Sequence, residues 1–158
     1  NNKIKLIREI SKNYKIIYKP HEINNWYDEL IDSKKLKNFH IDKKNNLLDL
    51  AFNSKLIIIC HLSTAFLESL SLNKPLILLL DKRFYEISNI AKKYFKLFEK
   101  MGVLHYSVNS IKNFLKKNNL EDWWSNNKLQ EVRQEFLNEF FNIKKNHDKN
   151  LLKYILKI

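Results

Sequence analysis

Two kinds of apolar pattern alternate along the chain: short continuous runs, and longer segments with apolar residues three and four apart. Residues 3–12 carry Ile4, Ile7 and Ile10 at threefold spacing, which predicts a helix, and residues 14–18 (YKIIY) predict a short strand. Lys19-Pro20-His21-Glu22 follows at that strand's carboxyl end. Residues 22–35 predict a helix with Trp26, Leu30 and Ile31 on its apolar side, 37–41 a strand, and 45–52 a short helix. The runs at 56–60 (LIIIC) and 76–80 (LILLL) are apolar throughout, as in strands buried on both faces. Between them, a polar break at His61-Leu62-Ser63-Thr64 leads into a helix. Phe66, Leu67 and Leu70 lie on one face of it, and Thr64, Glu68 and Ser71 lie on another. Asn73-Lys74-Pro75 ends it.

Beyond residue 80, Asp81-Lys82-Arg83 reads as a polar loop and residues 85–101 as a helix carrying Ile87, Ile90, Ala91, Tyr94, Phe95 and Phe98. Residues 101–106 predict a last strand, with Gly102 suited to the C′ position of the helix before it. Residues 110–117 predict a helix capped by Asn109. Residues 122–158 read as one long helical tail that opens on Trp123-Trp124 and carries Phe136, Phe140, Phe141, Leu151 and Ile155.

Strands alternating with helices predict an α/β fold: a Rossmann-like open parallel sheet of about five strands, helices on both faces, and a long helical C-terminal tail. The expected division is a domain over residues 1–120 and a tail over 121–158. With no strand after it, the tail is expected to pack on that domain and on a further, N-terminal one. The chain opens on Asn1 and its one methionine is Met101, so it reads as a piece of a longer protein.

Composition narrows the classes. A length of 158 residues with 44% hydrophobic content suits one domain with a real core. No apolar run is long enough for a membrane helix, and no secretory signal opens the chain. Cys60 is the single cysteine and falls in a buried run, so it reads as a core residue in a reducing, cytoplasmic compartment. The net charge of +12 invites a nucleic-acid reading, but arginine occurs only at positions 8, 83 and 133. Lysine lacks the guanidinium fork that suits base and phosphate recognition. Attraction to an anionic surface, including the inner face of the membrane, fits the charge better than nucleic-acid binding.

The candidate chemistry lies at the polar break. Ser63 or Thr64 can cap the following helix, and in a parallel sheet the free N–H groups of that helix meet ligands beyond the strand's carboxyl end. Such an N-terminus suits a phosphate, and Glu68, one turn on, could accept hydrogen bonds from ribose hydroxyls. Serine and threonine also cap helices that bind nothing, and a surface glutamate is commonly only solvated. His61 faces the same crevice, as a phosphate or base contact or as a loop residue filling space. His40 and His105 read as packing residues, His147 as solvated, and Trp123-Trp124 as an anchor for the tail. No spacing of His, Cys or carboxylates suits a metal, so no metal and no cofactor is expected.

Residues 46–80 resemble the donor-binding half of a GT-B transferase and are similar to CDP-glycerol glycerophosphotransferases. Nearly all of residues 14–141 resembles a family of bacterial transferases found with surface-carbohydrate biosynthesis. The matching residues are Ser63-Thr64-Ala65-Phe66-Leu67-Glu68, Asn73-Lys74-Pro75, Tyr94-Phe95-Lys96-Leu97-Phe98, Gly102-Val103-Leu104 and Trp123-Trp124. The resemblance implies that Ser63 and Thr64 hold the phosphates of a nucleotide-activated donor and that Glu68 holds its ribose. It also implies that Lys19 and His21 stabilise the leaving phosphate. Glu22 replaces a proline of the glycerophosphotransferases and Cys60-His61 replaces an Asp-Tyr pair, which leaves the nucleotide and the transferred group open.

Two functions of different class follow. The first is a transferase that uses a nucleotide-activated sugar or glycerol-phosphate-like donor in surface polysaccharide synthesis, with a saccharide or lipid-linked acceptor. This chain would be its donor-binding portion and inactive alone. The second is a non-catalytic α/β module that binds an anion or a partner protein.

Overall fold

The computed structural model describes residues 2–20, 36 and 38–141. The helix expected over 22–35, the candidate His21, and residues 142–158 of the tail with His147 lie outside the described residues. The fold is α/β with open parallel sheets, and the chain divides into two compact units, Asn1–Asn53 and Ser54–Ile158.

The first unit contains α1 (Asn2–Ile10), β1 (Ile16–Tyr18), β2 (Phe39–Ile41) and α2 (Leu47–Phe52). β1 and β2 pair in parallel, Ile17 opposite His40. Both of these middle residues are exposed, so His40 does not pack as its place in a strand suggested. Leu6 and Ile7 are the buried residues of α1. After β2 the carboxylate of Asp42 accepts from the Lys44 and Asn45 N–H groups at 3.0 and 2.9 Å. The Asn45 amides, backbone and side chain, hold the Asp42 carboxyl below its ordinary range. Asn46 then caps α2 by accepting from Leu48 N–H at 2.9 Å.

The second unit contains β3 (Ile57–Ile59), α3 (Thr64–Ser71), β4 (Leu76–Leu79), α4 (Asn89–Lys100), β5 (Leu104–His105), α5 (Val108–Lys117), α6 (Leu120–Trp124) and α7 (Asn127–Phe140). Its sheet has the order β3-β4-β5, all parallel. The central strand β4 is buried at every residue, whereas Ile58 in the middle of β3 is only half-buried. The two apolar runs look alike in sequence, but among the described strands only β4 has a neighbour on each side.

Three helix boundaries differ from expectation. α4 begins at Asn89, capped by Ser88 (Oγ accepts from Ala91 N–H at 3.3 Å), so residues 85–88 are loop. α5 begins at Val108 and is capped by Ser107 rather than Asn109. The described part of the tail is two helices, because Asn126 opens a second one by accepting from Leu129 N–H. Serine and asparagine are nearly equal as caps, and the choice among several of them falls to tertiary packing.

The core of this unit is aromatic. Phe136 of α7 is fully buried, and its ring meets Phe66 of α3, Tyr94, Phe95 and Phe98 of α4, and Phe140, with centroids 4.7–6.0 Å away. Helix α7 thereby packs on both α3 and α4. Trp123 and Trp124 are engaged internally: their indole N–H groups donate to Met101 O at 2.7 Å and Asn73 Oδ1 at 3.1 Å. Asn73 itself sits at φ 52, a left-handed stop after α3 that asparagine tolerates, and Pro75 leads into β4.

Candidate functional site

The junction of β3 and α3 collects His61, Ser63, Thr64 and Glu68. β3 ends at Ile59, so all four lie at or just beyond its carboxyl end. Ser63 has the extended backbone of an N-cap (φ −152, ψ 177) and its carbonyl accepts from Phe66 N–H at 3.0 Å. Its hydroxyl does not complete the cap: Oγ is buried and has no hydrogen-bond partner among the described residues. A buried hydroxyl without a partner is costly, and in native structures such atoms often mark a place for a ligand or water. The N–H groups of Thr64 and Ala65, which precede the one that Ser63 engages, have no intrahelical partner by geometry. Thr64 is exposed, and Glu68 and His61 are half-buried. Among the described residues no hydrogen bond or ion pair engages the Glu68 carboxylate, while its carbonyl accepts from Ser71 Oγ at 2.6 Å.

The loop after β4 reaches this junction, because Leu62 N–H donates to Tyr85 Oη at 3.4 Å. Tyr85 was expected inside a helix; the loop conformation of residues 85–88 brings it to the turn. Beside the carboxyl ends of β4 and β5 opens a cleft of about 380 Å³, lined by Asp81, Lys82, Tyr85, Lys92, Lys96 and Tyr106 among others. The Arg83 guanidinium donates to Asp81 at 2.6 and 2.9 Å and holds its carboxyl down at about 2, a charged group throughout the physiological range. Lys82 Nζ lies 4.1 Å from the centre of the Tyr106 ring. Asp81-Lys82-Arg83 was visible in the sequence as a polar loop. Its place beside the candidate turn was not, because that depends on the order of strands in the sheet.

Lys19 follows β1 in the other unit, and its Nζ donates to the Lys43 carbonyl at 3.1 Å. The site residues therefore fall into a group of four on one strand–turn–helix element, a lysine at the end of β1, and His21 outside the described residues. Among the described residues no three His, Cys, Asp or Glu side chains come together as a metal site would require.

At β3–α3 a helix N-terminus follows the carboxyl end of a parallel strand, an arrangement common to many α/β proteins of different function. Comparison with known families narrows it: the model of the LIC12162 family transferases matches residues 1–155. The chain belongs to this family. It is thus a transferase. No curated protein and no solved structure matches the chain. Among the described residues of this family member, no helix is long and apolar enough to cross a membrane.

Proposed function

We propose that this transferase binds a nucleotide-activated sugar, or a glycerol-phosphate-like donor, at the β3–α3 turn, in the synthesis of a bacterial surface polysaccharide. The observation that carries the reading is the buried Ser63 hydroxyl, unpartnered at the N-terminus of α3 beyond a parallel strand's carboxyl end. A phosphate oxygen there would accept from Ser63 Oγ–H and from the Thr64 and Ala65 N–H groups, with the positive end of the helix dipole behind them. Glu68, one turn along, would accept from the ribose hydroxyls. The acceptor hydroxyl attacks the donor's carbon or phosphorus, the bond to the nucleotide breaks, and the departing phosphate gains charge that these donors stabilise. Likeness to the glycerophosphotransferases at Lys19-Pro20-His21 supports the same electrostatic role for Lys19 and His21, the role a metal plays in other transferases. The base that activates the saccharide or lipid-linked acceptor comes, on this reading, from another domain. GT-B architecture, a cytoplasmic location and contact with the inner face of the membrane belong to the same proposal, supported by the resemblance and by the charge of +12.

Calorimetric titration with UDP, GDP, CDP, CMP and their sugar or glycerol conjugates tests this. One nucleotide class should bind saturably, and Thr64→Ala or Glu68→Ala should weaken it roughly ten- to hundredfold without loss of folding. Binding that is absent from every member of the panel, or indifferent to both substitutions, rejects the assignment.

A further inference from the structure

α3 has eight residues, so its two ends are about 12 Å apart. Its C-terminal end is held from the tail by a chain of hydrogen bonds. Arg133 Nη1 of α7 donates to the Leu70 carbonyl at 3.1 Å, and Arg133 Nε donates to Gln130 Oε1 at 2.9 Å. Gln130 Nε2 donates to the Trp124 carbonyl at 2.5 Å, and the Trp124 indole donates to Asn73 Oδ1 at 3.1 Å. Asn73 is the left-handed residue just past α3. Both ends of this chain thus grip the last turn of one short helix.

Arg133 is an unusual residue for such a place. It is 8% exposed, and among the described residues its partners are a carbonyl and an amide, with no carboxylate. Burying an unneutralised cation costs stability, and an apolar side chain of similar length would fill the space more cheaply. A guanidinium keeps its charge even when burial makes that charge less favourable. The compensation available is the negative end of the α3 dipole, which points at it. A positive charge there cancels the end of the dipole that opposes an anion, and its own field also reaches the opposite end through protein rather than solvent.

We infer that Arg133 is a positioning residue for the α3 anion site: it fixes the C-terminal end of α3 and, through its buried charge, strengthens the hold of the helix N-terminus on the diphosphate of the donor. The inference rests on the phosphate reading of Ser63 and Thr64. It adds that Trp124, Gln130 and Arg133, bonded at the far end of α3, tune the affinity of a site at its other end.

The experiment titrates the full chain with inorganic pyrophosphate and with the nucleoside diphosphate that binds best in the panel above. Wild type is compared with Arg133→Met, Arg133→Lys and Gln130→Glu, with a denaturant midpoint recorded for each. Arg133→Met should bind roughly three- to tenfold more weakly while its midpoint is unchanged or higher, and Arg133→Lys should recover most of the affinity. A residue that only packs would lower stability and affinity together, with no recovery by lysine. Should Arg133→Met fail to fold, Gln130→Glu keeps the arginine in place but sets a carboxylate beside it, and should weaken pyrophosphate binding by a similar factor. Equal affinity in all folded variants, or equal losses in Arg133→Met and Arg133→Lys, overturns the inference and leaves the phosphate site standing. A wild-type chain that binds neither probe rejects the phosphate site itself, and the inference with it.

Discussion

Nδ1 of His105 and the Ser110 hydroxyl oxygen share a hydrogen bond of 2.7 Å. The other ring nitrogen, Nε2, lies 3.0 Å from the Gly102 carbonyl, which can only accept. Nε2 therefore carries a hydrogen, and the ring is buried at the end of β5 in a T-shaped contact with Phe114. Burial pushes the imidazole below its ordinary value of 6.5. In the unfolded chain it takes a proton near 6.5, while in the folded chain it resists until a lower pH. The folded state binds fewer protons over that interval, so stability falls as pH drops below about 6.5 and levels off below the folded value. Denaturant midpoints measured from pH 7.5 downward should show this decline, and His105→Gln should flatten it.

Gly102 has φ +79, and a Cβ added there would run into the Phe114 ring. Gly102→Ala combines a left-handed backbone with overpacking and should cost on the order of 2–4 kcal/mol in chemical denaturation. Adding Phe114→Leu should return part of that loss. No return would place the whole cost in the backbone.

Phe136 joins α7 to α3 and α4 through four rings, Phe66, Tyr94, Phe95 and Phe98. Phe136→Ala should destabilise the chain by roughly 3–5 kcal/mol, and Phe136→Leu by distinctly less, in the same unfolding assay. A small loss from Phe136→Ala would mean that the tail contributes little to holding this unit together.

Asp81 owes its depressed carboxyl to the Arg83 guanidinium. Arg83→Gln should move it from about 2 toward the ordinary 3.8, visible in the carbon chemical shift of the carboxylate during an acid titration. Because the folded value lies below the unfolded one, the pair's contribution is present above about pH 3.8 and fades as pH falls toward 2. That acid-dependent loss should shrink in Arg83→Gln, where only the backbone N–H of residue 83 still donates to Asp81, and the effect is modest because Arg83 is exposed.

Much of the fold was readable from local pattern. The fully apolar run that became β4, the three-and-four spacing of α3, and the one glycine at the stop after α4 each report a constraint that acts within a few residues. Each candidate site residue from His61 to Glu68 was also named in sequence, because a strand, a polar turn and a helix are contiguous there. The starts of α4 and α5 and the break at Asn126 were misread, since several serines and asparagines in a row could each serve as a cap. The five parallel strands were expected as one sheet; the described strands form a pair and a triplet, a matter of which edges meet.

The sequence by itself determined the types of most elements, the parallel α/β class and the polar turn between β3 and α3, because periodicity and capping are properties of neighbouring residues. Only the tertiary structure decided that Ser63 keeps a buried hydroxyl unpartnered, that Tyr85 meets the same turn, and that Arg133 reaches the Leu70 carbonyl across 63 positions. Those relations arise from how helices dock on a sheet. Docking is governed by shape and by the pairing of buried polar groups between distant segments, which no local pattern records.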